Sequence, residues 1–154
     1  MRSMSEIAME WLNTPYRWAC AVKGKGIDCE RMVTECAKEF GALPPGYRPP
    51  FQLSRDWNLA NSEQLDKEVF SREIEKWADR YPIEQRQVND VILMKDQNGT
   101  PCHMGILMEG DIIIHAVCGD RVRRHPIRSL WTKIVCAYRV REMAAISPAS
   151  ENGR

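Results

Sequence analysis

The sequence contains no apolar run approaching the ~18 residues that a membrane-spanning helix needs. It also has no internal repeat and no linker-like stretch. Its 22 Lys and Arg against 21 Asp and Glu leave a formal net charge of +1, so no global charge bias argues for nucleic acid or an anionic membrane surface. Arg121, Arg123, Arg124 and Arg128 are a local basic stretch, read as a solvated loop. The first residues, Met1 to Glu6, lead into an amphipathic segment rather than the apolar core of a signal peptide. The expectation is therefore a chain that is cytoplasmic as synthesised. Histidine is scarce, with only three in 154 residues, which narrows any search for a general base.

Six cysteines are present, at 20, 29, 36, 102, 118 and 136. Their even number would suit a small disulfide-stapled domain, but a chain of this length can bury a core without staples. Cys36 and Cys136 fall in apolar patterns and are expected in that core. Cys29 differs. The loop Lys23 to Gly26 ends at Asp28-Cys29, and Met32, Val33, Cys36, Ala37 and Phe40 then recur at three- and four-residue steps, as on one buried helix face. Asp28 is the expected N-cap and Cys29 falls in the first turn, where the helix dipole favours an anion. The expectation is a thiol with a lowered pKa, a nucleophile in need of a base.

A first helix is expected from Ser5 to Leu12, and another from Ser62 to Arg80 with Leu65, Val69, Phe70, Ile74 and Trp77 on one face. Gln52 to Asn61, carrying Trp57, lies between. The second half reads as strands at 91–94, 103–108, 112–117 and 134–140, with turns at 96–99 and 109–111. Arg121 to Thr132 reads as a connecting loop or short helix. Helices first and an antiparallel meander afterwards define an α+β domain over residues 1–145. Residues 41–88 form an insertion between the nucleophile helix and the sheet, and 146–154 a frayed tail.

His103 and His115 flank the turn at Glu109 to Asp111. With an odd loop centred on Gly110, His115 pairs opposite Gly105, which shares a face with His103. The two imidazoles then project as diagonal neighbours, suiting a base and the group that orients it. His125, before a proline in the arginine-rich stretch, is expected to be exposed. A zinc reading of Cys102, His103, His115 and Cys118 is set aside, because strand neighbours point to opposite faces. No metal or cofactor is called for.

Five stretches of this chain resemble the NlpC/P60 cysteine peptidases. They are Asn13-Thr14-Pro15-Tyr16-Arg17-Trp18, Asp28-Cys29, Asn89-Asp90-Val91-Ile92-Leu93, His103-Met104-Gly105-Ile106-Leu107 and Ile114-His115-Ala116. The resemblance implies a circularly permuted papain-like fold, with N-terminal helices packed on an antiparallel sheet. It implies Cys29 as nucleophile, His103 as general base and acid, and His115 as the orienting third group. Tyr16, Asp28 and Trp18 are the implied substrate-binding or oxyanion residues. The implied substrate is the γ-D-glutamyl to diamino-acid bond of peptidoglycan stem peptides. The long insertion looks most like the phage-tail or gene-transfer-agent variant, which implies tail proteins as partners and a virion tail acting in the host cell wall.

Three departures from the family pattern stand out. Glu30 replaces the serine after the cysteine, and either raises the thiol pKa or points to solvent. Asn13 replaces a glycine, which suits a turn only if it takes a positive φ, and Ala19-Cys20 replaces Gly-Gly. Two rival readings are a catalytically silent assembly module of the same fold and an amidase or acyltransferase acting on a non-wall substrate.

Overall fold

The computed structural model describes residues 1–48 and 68–142. The expectations for Gln52 to Asn61, for the first turns of the 62–80 helix and for the tail lie outside the described residues.

Helix α1 (Met4–Met9) is capped by Ser3, whose side chain accepts from the Glu6 N–H. It begins and ends earlier than the apolar pattern predicts, and Trp11 and Leu12 follow in turns that still reach the core. A short ribbon of β1 (Ala21–Val22) and β2 (Gly26–Ile27) leads directly into α2 (Cys29–Phe40). Here the predicted cap is found: the Asp28 carboxylate accepts from the Arg31 N–H at 2.9 Å. The helix stops at Gly41, which takes φ 92°, a left-handed conformation that glycine adopts without a Cβ penalty. Met32, Val33, Cys36 and Ala37 are buried along the expected face.

The helix predicted over 62–80 is corrected. Helix α3 spans only Val69–Ile74, and β3 (Ala78–Tyr81) follows within the same predicted element. Strand β4 (Val91–Lys95) comes next, then β5 (Pro101–Met108), β6 (Ile112–Ala116), β7 (Val122–Pro126) and β8 (Ile134–Val140). They form one six-stranded antiparallel sheet in the order β3-β8-β4-β5-β6-β7. The arginine-rich stretch is thus not only loop: its first half is the edge strand β7, and a 3₁₀ segment (Ile127–Lys133) completes it.

The central strand β4 reads as unbroken apolar sequence because both its faces are covered. Val91 and Leu93 join the core beneath α1 and α2, whereas Ile92 and Met94 pack with Leu107, Ile113 and Ile127 on the opposite face. Cys36 and Cys136 are buried in the first of these cores, as expected. Asn89 takes φ 81° and its side-chain oxygen accepts from the Ser5 N–H, so the turn before β4 is tied to α1. Next to it, buried Asp90 receives the Arg139 guanidinium through both carboxylate oxygens, at 3.1 and 3.0 Å. Among the described residues no helix is long and apolar enough to cross a membrane.

Candidate active site

Sequence fixes the position of Cys29 through three local devices. Asn13 adopts φ 69°, the positive value that its place in the turn requires, and Thr14 and Tyr16 then bridge to the β6–β7 connection. The Thr14 Oγ1 accepts from the Gly24 N–H, closing the loop before α2. Asp28, fully buried, accepts from the Ala19 N–H at 2.7 Å and from both the backbone and the guanidinium of Arg31. Its oxygens are spent on holding the helix start. Asp28 therefore positions Cys29 and presents no free oxygen to a substrate.

A cavity of about 440 Å³ opens at that helix start, lined by Tyr16, Cys29, Cys102, His103, His115 and Lys133 among others. Trp18, 40% exposed, lies outside its lining. Tyr16 lines the wall, and burial together with the neighbouring Cys29 pushes its hydroxyl pKa far above the ordinary value. The group stays protonated and can only donate or accept as a neutral hydroxyl.

The hairpin joining β5 to β6 has the register that an odd loop requires. Met108 pairs with Ile112 and Ile106 with Ile114 about Gly110, which takes φ 79° beside Asp111 at φ 57°. His103 and His115 accordingly meet, with His103 Nε2 2.7 Å from His115 Nδ1. The contact does not end there. His115 Nε2 lies 2.8 Å from His125 Nδ1. Because Ile113 pairs with His125 across β6 and β7, His125 projects from the face shared by Ile113 and His115. The expectation of an exposed His125 is corrected: it is half-buried and hydrogen-bonded. The signal lies in the sequence, since 115 and 125 bracket a second turn, but a strand carrying two adjacent arginines has too little apolar content to show a period.

Burial dominates the electrostatics. His103 is depressed to about 4, first by desolvation and then by Lys133. His115 is depressed to about 3 by desolvation, by the flanking imidazoles of His103 and His125, and by Lys133. Both are neutral at pH 7. Cys29, 2% exposed, has its thiol pushed well above the ordinary value by desolvation, then by Glu30 and Asp28. The expected lowering by the helix dipole is overturned: a dipole worth ~0.3–1 kcal/mol does not outweigh burial beside two carboxylates.

Glu30 resolves the alternative left open by the sequence. It does not face solvent; it is buried, and the Cys29 thiol donates to its Oε2 at 3.3 Å. Arg31 Nη1 contacts the other oxygen at 3.3 Å. Desolvation and Asp28 raise the Glu30 carboxyl to about 7. The second thiol contact is a long one to the Cys102 carbonyl, at 3.9 Å. Among the described residues the thiol is thus engaged with Glu30 and Cys102, not with His103.

The Glu30 geometry carries a pH-dependent prediction. As pH rises through 7, the Glu30 charge appears beside the sulfur and opposes thiolate formation; below 7 it is neutral and does not. Glu30→Gln removes only the charge. Alkylation of Cys29 by iodoacetamide, followed by peptide mass spectrometry, should then run about tenfold faster than wild type at pH 8, since the gain in thiolate is partly offset by lower nucleophilicity. At pH 6 the two rates should agree within about twofold. An equal ratio at both pH values would refute the carboxylate's role.

All three imidazoles spend nitrogens on one another, and among the described residues no group of three or more His, Cys, Asp and Glu side chains could hold a metal ion. What the arrangement offers is a buried thiol at a helix start, a neutral imidazole base in the same cavity and two further imidazoles behind it.

Known proteins share this fold. The model of the NlpC/P60 family matches residues 13–140. No curated protein matches the chain in sequence. Among solved structures, the NlpC/p60 domain of the peptidoglycan hydrolase SagA is 18% identical with a TM-score of 0.56, over 88% of this chain and 94% of that one. An NlpC/P60 family protein from Bacillus cereus is 18% identical with a TM-score of 0.62, over 90% of this chain and 40% of its own. RipD from Mycobacterium tuberculosis, described as a non-catalytic NlpC/p60 domain protein adapted to peptidoglycan binding, is 12% identical with a TM-score of 0.53, over 92% of this chain and 98% of its own. At these identities the structures share the fold alone, but the family model spans most of the chain, Cys29, His103 and His115 included: the chain belongs to the NlpC/P60 family.

Proposed function

We propose that this protein is a thiol peptidase that hydrolyses the γ-D-glutamyl to diamino-acid bond in peptidoglycan stem peptides. The observation that carries the proposal is the shared cavity, which places the helix-start Cys29 and the His103–His115 pair around one space. Family membership supplies the substrate class. No cofactor takes part in the proposed reaction.

The resting pair is neutral, so the reaction proceeds by general-base catalysis rather than from a preformed thiolate–imidazolium pair. The thiol turns from Glu30 to His103, whose imidazole takes the proton as sulfur bonds to the amide carbonyl carbon. The carbonyl oxygen becomes an oxyanion, held by the Cys29 N–H at the start of α2 and by the Tyr16 hydroxyl. His103 returns the proton to the departing amine, the C–N bond breaks and a thioester remains. Water, deprotonated by His103, then attacks the thioester and frees the thiol.

The test is product analysis. Defined stem peptides and purified muropeptides are incubated with the protein and analysed by mass spectrometry. A new γ-D-glutamyl terminus paired with a free diamino-acid amine supports the reading. Cleavage elsewhere names a different bond, and no cleavage by well-folded protein refutes it. A second reading, a wall-binding module without turnover, is favoured by one observation: the thiol is bonded to Glu30 rather than to His103. It predicts muropeptide binding with no cleavage in the same assay. The phage-tail setting rests only on the long segment between α2 and β4, whose end supplies the edge strand β3; co-purification with tail proteins tests it.

A further inference from the structure

The family resemblance accounts for a base and one orienting group, but the structure contains a third imidazole in line. We propose that His125 is a positioning residue: by accepting a hydrogen bond from His115 it locks the whole histidine chain in the tautomer that leaves His103 Nδ1 free to take the thiol proton. This inference rests on the reading of His103 as the base.

The argument is an inventory of hydrogens. With all three rings uncharged, three N–H hydrogens are distributed over six nitrogens. Each of the two contacts, at 2.7 and 2.8 Å, needs one hydrogen between its nitrogens and cannot accommodate two. His103 Nε2 is committed to His115, so the nitrogen left for the thiol is Nδ1, and it must be bare. The His103 hydrogen then sits on Nε2 and points at His115 Nδ1, which must also be bare. The His115 hydrogen is forced onto Nε2, and it points at His125 Nδ1. The series ends there, with the His125 hydrogen on Nε2. Every tautomer follows from the next, and the last acceptor in the series is His125.

Without that acceptor nothing holds the His115 hydrogen on Nε2, where burial would leave it unpaired. Moved to Nδ1, it meets His103 Nε2 and drives the His103 hydrogen to Nδ1, the nitrogen that must be bare. In this state His103 cannot act as a base towards Cys29. The pairing that makes this possible is specific to the strands: His125 stands opposite Ile113 on β7, and the ring pairs meet edge to face, with centroids 5.0 and 5.1 Å apart.

The experiment combines a direct and a kinetic readout. Nitrogen-15 correlation spectra of the histidine side chains, recorded on wild type and on His125→Phe, report which nitrogen of each ring carries hydrogen. Wild type should show all three rings with hydrogen on Nε2, and His125→Phe should move His115 or His103 toward the Nδ1–H form. On a stem peptide, His125→Phe should lower kcat at least about tenfold with KM within about twofold, and His125→Gln, which keeps an acceptor, should restore most of it. A wild-type His115 bearing its hydrogen on Nδ1, or tautomers unchanged in His125→Phe, would overturn the proposal. The spectra need no turnover, so they decide it even if the protein cleaves no stem peptide, an outcome that would count against the peptidase reading alone.

Discussion

Cys29→Ala is expected to reduce stem-peptide hydrolysis by about 10⁴-fold or more. No other described thiol is placed to substitute. Cys102 lines the same cavity from strand β5 and the more exposed Cys118 lines it from a turn, so neither stands at a helix start as Cys29 does. The fold should survive the change. The substitution removes one buried sulfur and its hydrogen bond to Glu30, a loss of about 1–2 kcal/mol. Cys29→Ser should be nearly as inactive, because the surroundings that lift the thiol pKa act on a hydroxyl that is a poorer acid from the outset. Steady-state kinetics with circular dichroism checks both points, and a Cys29→Ala protein that retained even a tenth of wild-type activity would contradict the account.

Gly105→Ala is expected to damage stability and catalysis together. Gly105 sits on β5 two residues beyond His103, the proposed base, and its φ is ordinary, so the issue is space rather than backbone freedom. A Cβ there would stand 2.6 Å from Ile113 Cγ2, 2.8 Å from the Ile114 carbonyl oxygen and 2.9 Å from His115 Cβ. Only the first of these belongs to a side-chain terminus. The carbonyl and the His115 Cβ are fixed by strand β6, so β5 and β6 must move apart. The cost is about 2–3 kcal/mol, or a fall in Tm on the order of 10 °C. Moving His115 also breaks the 2.7 Å contact that orients His103, so kcat should fall by more than the loss of folded protein explains. Gly46→Ala is the matched control, since an added Cβ meets nothing within 4 Å there. Thermal unfolding of both variants checks the prediction, and equal Tm values would contradict it.

How far the sequence reveals this molecule follows from where each element sits. The elements it shows clearly are central ones. Strand β4 is covered on both faces and reads as unbroken apolar sequence, and α2 presents a strict apolar stripe between an Asp cap and a Gly stop. Within the six-stranded sheet, the two strands it hides, β3 and β7, are the two edges. Edge strands gain from charge, which discourages further pairing, and Ala78-Asp79-Arg80-Tyr81 and Val122-Arg123-Arg124-His125-Pro126 carry it. Their apolar content is too low to show a period. β3 was further masked by Ile74 and Trp77, which continue a helical spacing past the point where α3 ends.

The site divides in the same way. The His103–His115 pairing follows from loop length and strand alternation, both legible from sequence. His125 is hidden because β7 is. The electrostatic expectation fails for a different reason: a helix-start position is visible in sequence, whereas the depth of burial around Cys29 and the inward turn of Glu30 are products of tertiary packing. The same packing keeps the His103 imidazole and the Cys29 thiol uncharged at rest, so the proposed reaction begins with a proton transfer rather than an ion pair.

The most direct measurement is rapid-quench mass spectrometry of wild-type protein mixed with an activated γ-D-glutamyl ester. An ester acylates faster than an amide, so deacylation becomes limiting and the covalent intermediate accumulates. The account predicts protein heavier by one γ-D-glutamyl acyl group, with the added mass located on Cys29 by peptide mapping. Ester turnover with no adduct, or with the acyl group on any residue other than Cys29, would contradict it.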